Sequence, residues 1–163
     1  MKNYAALTFL LTGSFLSLFF FNGQPIAGEI VKNQKSRIQD AWGSGLYHAS
    51  RAERIHKGLD IVAAPGEKIS APFEGQILRE SIPYPDDPSF RGVFIEGTGK
   101  WKGYHMKIFY VEGLLSGGVK EGQEIATVQN LTKRYPRITN HIHVEVKKDE
   151  AQIDPFDLWQ MSF

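Results

Sequence analysis

Two short stretches far apart in the chain carry most of the constraint on what it can fold into. In the first, His56-Lys57-Gly58-Leu59-Asp60, an imidazole and a carboxylate stand four residues apart around a glycine; in the second, His141-Ile142-His143, two imidazoles flank one apolar residue. Along an extended strand, residues i and i+2 project from one face roughly 6.6 Å apart, so His141 and His143 point the same way. One of them can bind a metal while the other stands beside whatever that metal binds. On a straight strand His56 and Asp60 would lie roughly 13 Å apart, too far to share an ion. Gly58 permits the backbone bend that brings both side chains to one point. Two imidazoles and a carboxylate suit zinc, and three protein ligands leave a fourth tetrahedral position for water, the arrangement of catalytic rather than structural zinc sites.

Most of the chain between these stretches reads as short strands. Ile69 to Phe73, Gly75 to Leu78, Val93 to Glu96, Met106 to Val111, Glu124 to Val128 and Ile142 to Val146 are β-prone runs separated by Gly, Pro and Asp. Such a series predicts an all-β sandwich or barrel-like sheet rather than a βαβ fold. Between Glu80 and Arg91 three prolines forbid regular pairing, so a loop at the rim of a groove is expected there. Ser50 and Glu53 have capping-box spacing before His56, which allows either a helical turn or a solvated loop. Asp154-Pro155 pairs an N-cap candidate with Pro at the first helical position, predicting a brief closing helix or turn that packs Phe156 and Trp159 on the sheet.

Longer motifs surround both stretches. The run from His56 to Ile77, the segment Val119-Lys120-Glu121-Gly122-Gln123-Glu124-Ile125-Ala126, and His141-Ile142-His143-Val144-Glu145-Val146 followed by Ile153-Asp154-Pro155 resemble, in order, three motifs of the lysostaphin-type (LytM-like) zinc metallopeptidases. The resemblance covers roughly residues 40 to 160. It implies a mainly antiparallel sheet forming a groove, with Zn2+ held by His56, Asp60 and His143 and with His141 as a catalytic residue beside the metal. The substrate it implies is a peptide, usually of the cell wall. Met106 to Val111 and Tyr135-Pro136 with Ile138 are similar to the leukocyte cell-derived chemotaxin branch of the family, whose members are secreted signalling proteins; that branch implies a protein receptor and no catalysis.

One position separates these implications. The active peptidases carry a second catalytic histidine two residues after a tyrosine, and here Tyr110 is followed by Val111 and Glu112. Glutamate at neutral pH only accepts hydrogen bonds, whereas histidine can donate one to developing negative charge. Glu112 can serve as a base only if it comes within hydrogen-bond reach of the attacking water. His105 is a conceivable substitute, but seven residues from Glu112 on an unbroken strand puts it on the opposite face. His48 belongs to no motif and is expected at the surface, while Trp42 and Tyr47 either line the groove or close the sheet's end.

The start of the chain bears on where such a protein works. Lys2 precedes an apolar run from Tyr4 to Phe21, which reads as a secretory signal peptide ending near Ala27, with an uncleaved membrane anchor as the alternative. The expected organisation is a leader over 1–27, a polar linker or arm over 28–39 and the domain over 40–163. Of 19 Lys and Arg against 18 Asp and Glu, only Lys2 lies in the leader, so the remainder is electrically balanced and nucleic acid is not the expected partner. The chain has no cysteine. A domain of this length buries an adequate core without disulfides. That departs from the disulfide-bonded chemotaxin branch, in which a cysteine stands at the position of His105. It fits a bacterial cell envelope at least as well as animal secretion.

Overall fold

The computed structural model describes residues 25–51, 54–113 and 116–159. Residues 1–24 of the expected leader lie outside these, as does Glu53 of the capping-box pair. Two short hairpins come first, β1 (Gln39–Asp40) with β2 (Gly43–Ser44) and β3 (Ser50–Arg51) with β4 (Arg54–Ile55). Neither a helical turn nor an open loop, then, precedes His56: Ser50 pairs across a hairpin with Ile55. There follow β5 (Leu59–Val62), β6 (Lys68–Ser70), β7 (Gly75–Ser81), β8 (Gly92–Gly97), β9 (Tyr104–Phe109), β10 (Val111–Gly113), β11 (Gly117–Val119), β12 (Glu124–Val128), β13 (His141–Lys148) and β14 (Ala151–Ile153). Among the described residues helix is confined to 3-10 turns at Gly99–Trp101, Leu131–Lys133 and Pro155–Leu158. The expected all-β class is what the chain adopts.

The larger sheet runs β11-β7-β8-β9-β13-β14, with β5 also paired to β13, and a smaller sheet runs β10-β12-β6. Alternation along the central strands sorts their side chains. Val93, Ile108 and Val144 form one cross-strand row, and Ile95, Met106 and Val146 the next. All six are buried, and Ile142 joins them on β13. Fully burying aliphatic side chains of this kind contributes about 1.5–3 kcal/mol each. Because strand side chains alternate, the other face of β13 must carry His141, His143, Glu145 and Lys147. One strand thus anchors the core with its even residues and presents its chemistry with its odd ones.

Tyr110 divides the two sheets. Its φ of 66° is left-handed, uncommon for a bulky residue, and its N–H donates to Arg91 O at 2.7 Å. The chain therefore leaves β9 in the larger sheet and continues as β10 in the smaller one. The expectation that His105 faces away from Glu112 assumed an unbroken strand, and this break removes that premise. His105 shares the sheet face of His143, but sits opposite Lys147, whereas His143 is opposite Phe109. Four residues of strand, roughly 13 Å, keep it from the histidine pair.

The stretch 28–39 is packed against the domain. Ile30 and Val31 are buried in the core; Ser70 N–H donates to Ile30 O at 2.9 Å and Gly28 N–H to Pro72 O at 2.8 Å. The Trp159 indole N–H donates to Gly28 O at 2.8 Å. Further along, Arg37 N–H donates to Asp60 O (2.7 Å) and Val62 N–H to Lys35 O (3.0 Å), so residues 35–37 lie as a short added strand beside β5. At the other end Asp154 accepts the Phe156 N–H at 2.9 Å and caps the closing turn, which buries Leu158 and packs Phe156 and Trp159 on the core.

Candidate metal centre

Asp60 on β5 and His143 on β13 are direct cross-strand partners, and His141 lies opposite Val62 two residues away. Residues facing each other on antiparallel strands have their Cβ atoms about 4.5–5.5 Å apart on one face. The pairing of β5 with β13 alone therefore brings three of the four expected site residues together. His56 arrives by another route. Its N–H donates to Ala49 O, and its carbonyl accepts from His48 N–H, both at 2.9 Å. The β3–β4 hairpin thus folds His56 back over the start of β5, which removes the separation a straight strand would impose.

Gly58 makes that fold possible by its lack of a side chain, not by an unusual φ. A Cβ there would lie 2.2 Å from Val144 O and 2.8 Å from the His143 ring. The need is close approach of the loop to β13, where the sequence suggested only a bend.

The donor atoms converge. His56 Nε2 lies 3.0 Å from His143 Nδ1 and 3.2 Å from Asp60 Oδ1, and His143 Nδ1 lies 2.8 Å from Asp60 Oδ1. Tetrahedral ligands at zinc–ligand lengths of about 2.0–2.1 Å stand roughly 3.3 Å from one another. The observed triangle thus needs only small expansion to hold zinc, and its two imidazoles and one carboxylate are of the right chemical kind. The rings are oriented from behind: His56 Nδ1–H donates to Leu46 O at 2.7 Å, which leaves the Nε2 lone pair free to ligate a metal. His143 Nε2 faces Glu145 Oε1 at 3.6 Å, and that carboxylate is in turn 3.6 Å from Lys107 Nζ.

His141 is held in the same way but faces differently. Its Nδ1–H donates to Thr139 O at 2.7 Å, so Nε2 carries the lone pair and stands 3.6 Å from Asp60 Oδ2. Burial lowers its pKa, with the Asp60 charge opposing, so the ring is neutral at pH 7. Burial also pushes His143 down, but its hydrogen bonds to Asp60 and Glu145 and the charges of those two carboxylates together outweigh that and raise it to about 9. Asp60 is pushed up by burial and pulled well below the usual carboxylate range by the imidazoles against it, His143 and His56 foremost.

Two arginines that sequence reasoning did not single out complete the surroundings of Asp60. Arg37 reaches Oδ2 through Nη2 (2.6 Å) and Nε (3.2 Å), and Arg51 Nη2 lies 3.3 Å from the same oxygen. Nothing in the residue pattern marks Arg37, which sits in a polar stretch without period. Its role depends on the added strand beside β5.

Aromatic groups border the site. Tyr110 stands edge-on to His141, with ring centroids 5.7 Å apart. Its hydroxyl bonds to that of Tyr84, from the proline-rich loop, and Tyr135 OH donates to Tyr84 OH at 3.1 Å. The loop expected at the groove rim thus reaches the edge of the site. Trp42 packs edge-on to Tyr135 and donates its indole N–H to Pro136 O at 3.0 Å, while Asp40 Oδ2 accepts Thr139 N–H at 2.9 Å. These ties connect the β1–β2 hairpin to the loop leading into His141. Tyr47 stacks on His48 instead, and His48 has a left-handed φ of 59°. Glu112 is exposed on β10, and its carboxylate makes no hydrogen bond or ion pair among the described residues, including those of the site.

The sequence profile of Peptidase family M23 matches residues 54–155. Leukocyte cell-derived chemotaxin-2 of Mus musculus is 35% identical over 111 residues, which is 67% of this chain and 71% of that protein. Among solved structures, Csd3 of Helicobacter pylori is similar with a TM-score of 0.57 and 18% identity; the match spans 85% of this chain but only 34% of Csd3. The solution structure of lysostaphin is similar with a TM-score of 0.54 and 15% identity over 77% of this chain and 48% of lysostaphin. At these identities the structural likenesses establish a shared fold, the lysostaphin-like all-β groove.

Proposed function

The chain belongs to peptidase family M23, and from that premise we propose that it is an exported zinc-dependent endopeptidase domain acting on short peptide bridges, with turnover held down by Glu112. The observation that carries this reading is His141: a buried, neutral imidazole with Nδ1 tied to Thr139 O and Nε2 turned toward the donor triangle. His56, Asp60 and His143 would hold zinc, which supplies the Lewis acidity that activates water toward an amide carbonyl. His141 Nε2 then takes the proton that the attacking water loses, and can return it to the leaving amine. The Thr139 carbonyl keeps the ring in the tautomer that this requires and favours the transient imidazolium. Glu112 offers no proton to the developing oxyanion, and losing one such donor lowers rates on the order of a hundredfold to a thousandfold.

Exposure of the Glu112 carboxylate favours a second reading. In it the chain is a secreted, non-catalytic, zinc-stabilised domain that binds a protein receptor, as the chemotaxin relatives' name suggests for them. Both readings place the protein outside the cytoplasm or in the cell envelope, and both need zinc. The deciding experiment incubates zinc-loaded protein with pentaglycine peptides or purified cell wall and compares amine release with that of His141→Ala. Release by the wild type well above the variant supports the peptidase; equal release removes it and leaves the binding reading.

A further inference from the structure

We infer that the segment preceding the family-matched region is part of the metal centre, and that Arg37 is a positioning residue that fixes Asp60 as a one-oxygen ligand. The inference rests on the zinc-holding part of the reading above, and not on catalysis.

The family profile begins at residue 54, and Arg37 lies well before it. It is nevertheless built into the site by its backbone. Arg37 N–H donates to Asp60 O at 2.7 Å, and Ser36 bridges Ile61, so the added strand sets Arg37 beside Asp60 along the edge of β5. The guanidinium is then used along two of its edges. Nε and Nη2 donate to Asp60 Oδ2 (3.2 and 2.6 Å), while Nη1 donates to Asp40 Oδ1 (2.7 Å) and Gly43 O (3.1 Å). Arg37 is 3% exposed and Asp60 2% exposed, so neither charge has water as an alternative partner.

The consequence for Asp60 follows from its two oxygens. Oδ2 is occupied by Arg37, which leaves Oδ1 alone at the corner where His56 Nε2 and His143 Nδ1 meet. Without Arg37 the carboxylate is free to rotate, or to chelate through both oxygens, and a buried anion is left short of its counter-charge. A planar fork with several fixed donors suits this task in a way that lysine does not. Arg51 touches the same oxygen at 3.3 Å but is 24% exposed, so it serves as an internal comparison. Docking of the arm and retention of the ion are thereby coupled: the strand that delivers Arg37 has to be in place for the carboxylate to present one oxygen.

The test uses the complete chain with zinc and cobalt(II) as probes, and Arg37→Gln, Arg37→Lys and Arg51→Gln as variants. Zinc affinity is read by competition with a chromophoric chelator. Loss of a partner that orients a metal ligand typically weakens affinity by about 10–100-fold. Arg37→Gln should fall in that range, Arg37→Lys between it and wild type, and Arg51→Gln close to wild type. Cobalt(II) absorption gives the readout that a merely structural role would not move. Release of Asp60 to chelate through both oxygens raises the coordination number and weakens the visible bands of the Arg37 variants. Should Arg37→Gln fail to fold, Arg37→Lys decides the matter. Wild-type zinc affinity and an unaltered cobalt spectrum in Arg37→Lys overturn the inference while leaving the zinc site standing. A wild-type protein without measurable zinc affinity overturns both.

Discussion

Gly58→Ala is the smallest change that should disable the metal centre without touching a ligand. The added methyl would sit 2.2 Å from Val144 O and 2.8 Å from His143 Cε1 and Nε2, where ordinary contact begins near 3.4 Å. Relief requires the loop and β13 to separate by about 1 Å, against ladder hydrogen bonds and the packed face of β13. Over-packing of this kind typically costs 1–3 kcal/mol, and contact with a backbone carbonyl and a fixed ring points to the top of that range, about 3 kcal/mol. For a domain of this size that corresponds to a fall of about 10 °C in Tm. The ring that must give way is that of His143, so zinc affinity should drop about 10–100-fold, as for loss of a ligand's orientation. Thermal melts with saturating zinc and with excess chelator measure both effects. The variant should melt lower in each, and the gap between the two curves should narrow. Unchanged Tm and an unchanged gap would refute the claim that close approach, rather than conformational freedom, is what glycine supplies here.

Other outcomes follow from the same geometry. Zinc must displace the proton that His143, raised from 6.5 to about 9, carries in the metal-free protein. Affinity measured by chelator competition should therefore climb about tenfold per pH unit and level off near pH 9. In the metal-free protein, the sign runs the other way: the stabilisation from charged His143 beside Asp60 is complete below about pH 6.5 and is lost as pH rises through about 9, a trend that chelator-treated melts would reveal. At free zinc about a thousandfold above Kd the ion adds about 4 kcal/mol, so chelation should lower Tm by about 10 °C or more, and a chelator-insensitive melt would exclude the site. Glu112→His should raise hydrolysis of pentaglycine on the order of a hundredfold or more. An unimproved rate would mean that a missing donor is not what limits turnover.

Much of this architecture was legible because strand periodicity is local. The alternation of β8, β9 and β13 can be read directly, and the i, i+2 spacing of His141 and His143 fixes their shared face whatever they pair with. Asp154-Pro155 likewise announces its own turn. What could not be read depends on partners distant in the chain. The separation of His56 from Asp60 is resolved by a hairpin whose pairing with residues 48 and 49 has no sequence signature. Arg37 lies in a stretch whose inward residues, Ile30 and Val31, are too few to set a period. The face of His105 depended on an interruption at Tyr110, and a left-handed tyrosine cannot be told from an extended one by its neighbours. In each case the deciding fact is a long-range hydrogen bond or a single dihedral, not a preference of the residue itself.

The odd and even residues of β13 have a consequence for how the chain finds its native alignment. A slip of one position against β5 would turn Ile142 and Val144 toward the groove and drive both imidazoles among the aliphatic rows. Misalignment and failure to capture the ion are therefore a single fault. Zinc uptake during refolding should report correct strand registration as faithfully as burial of the core does.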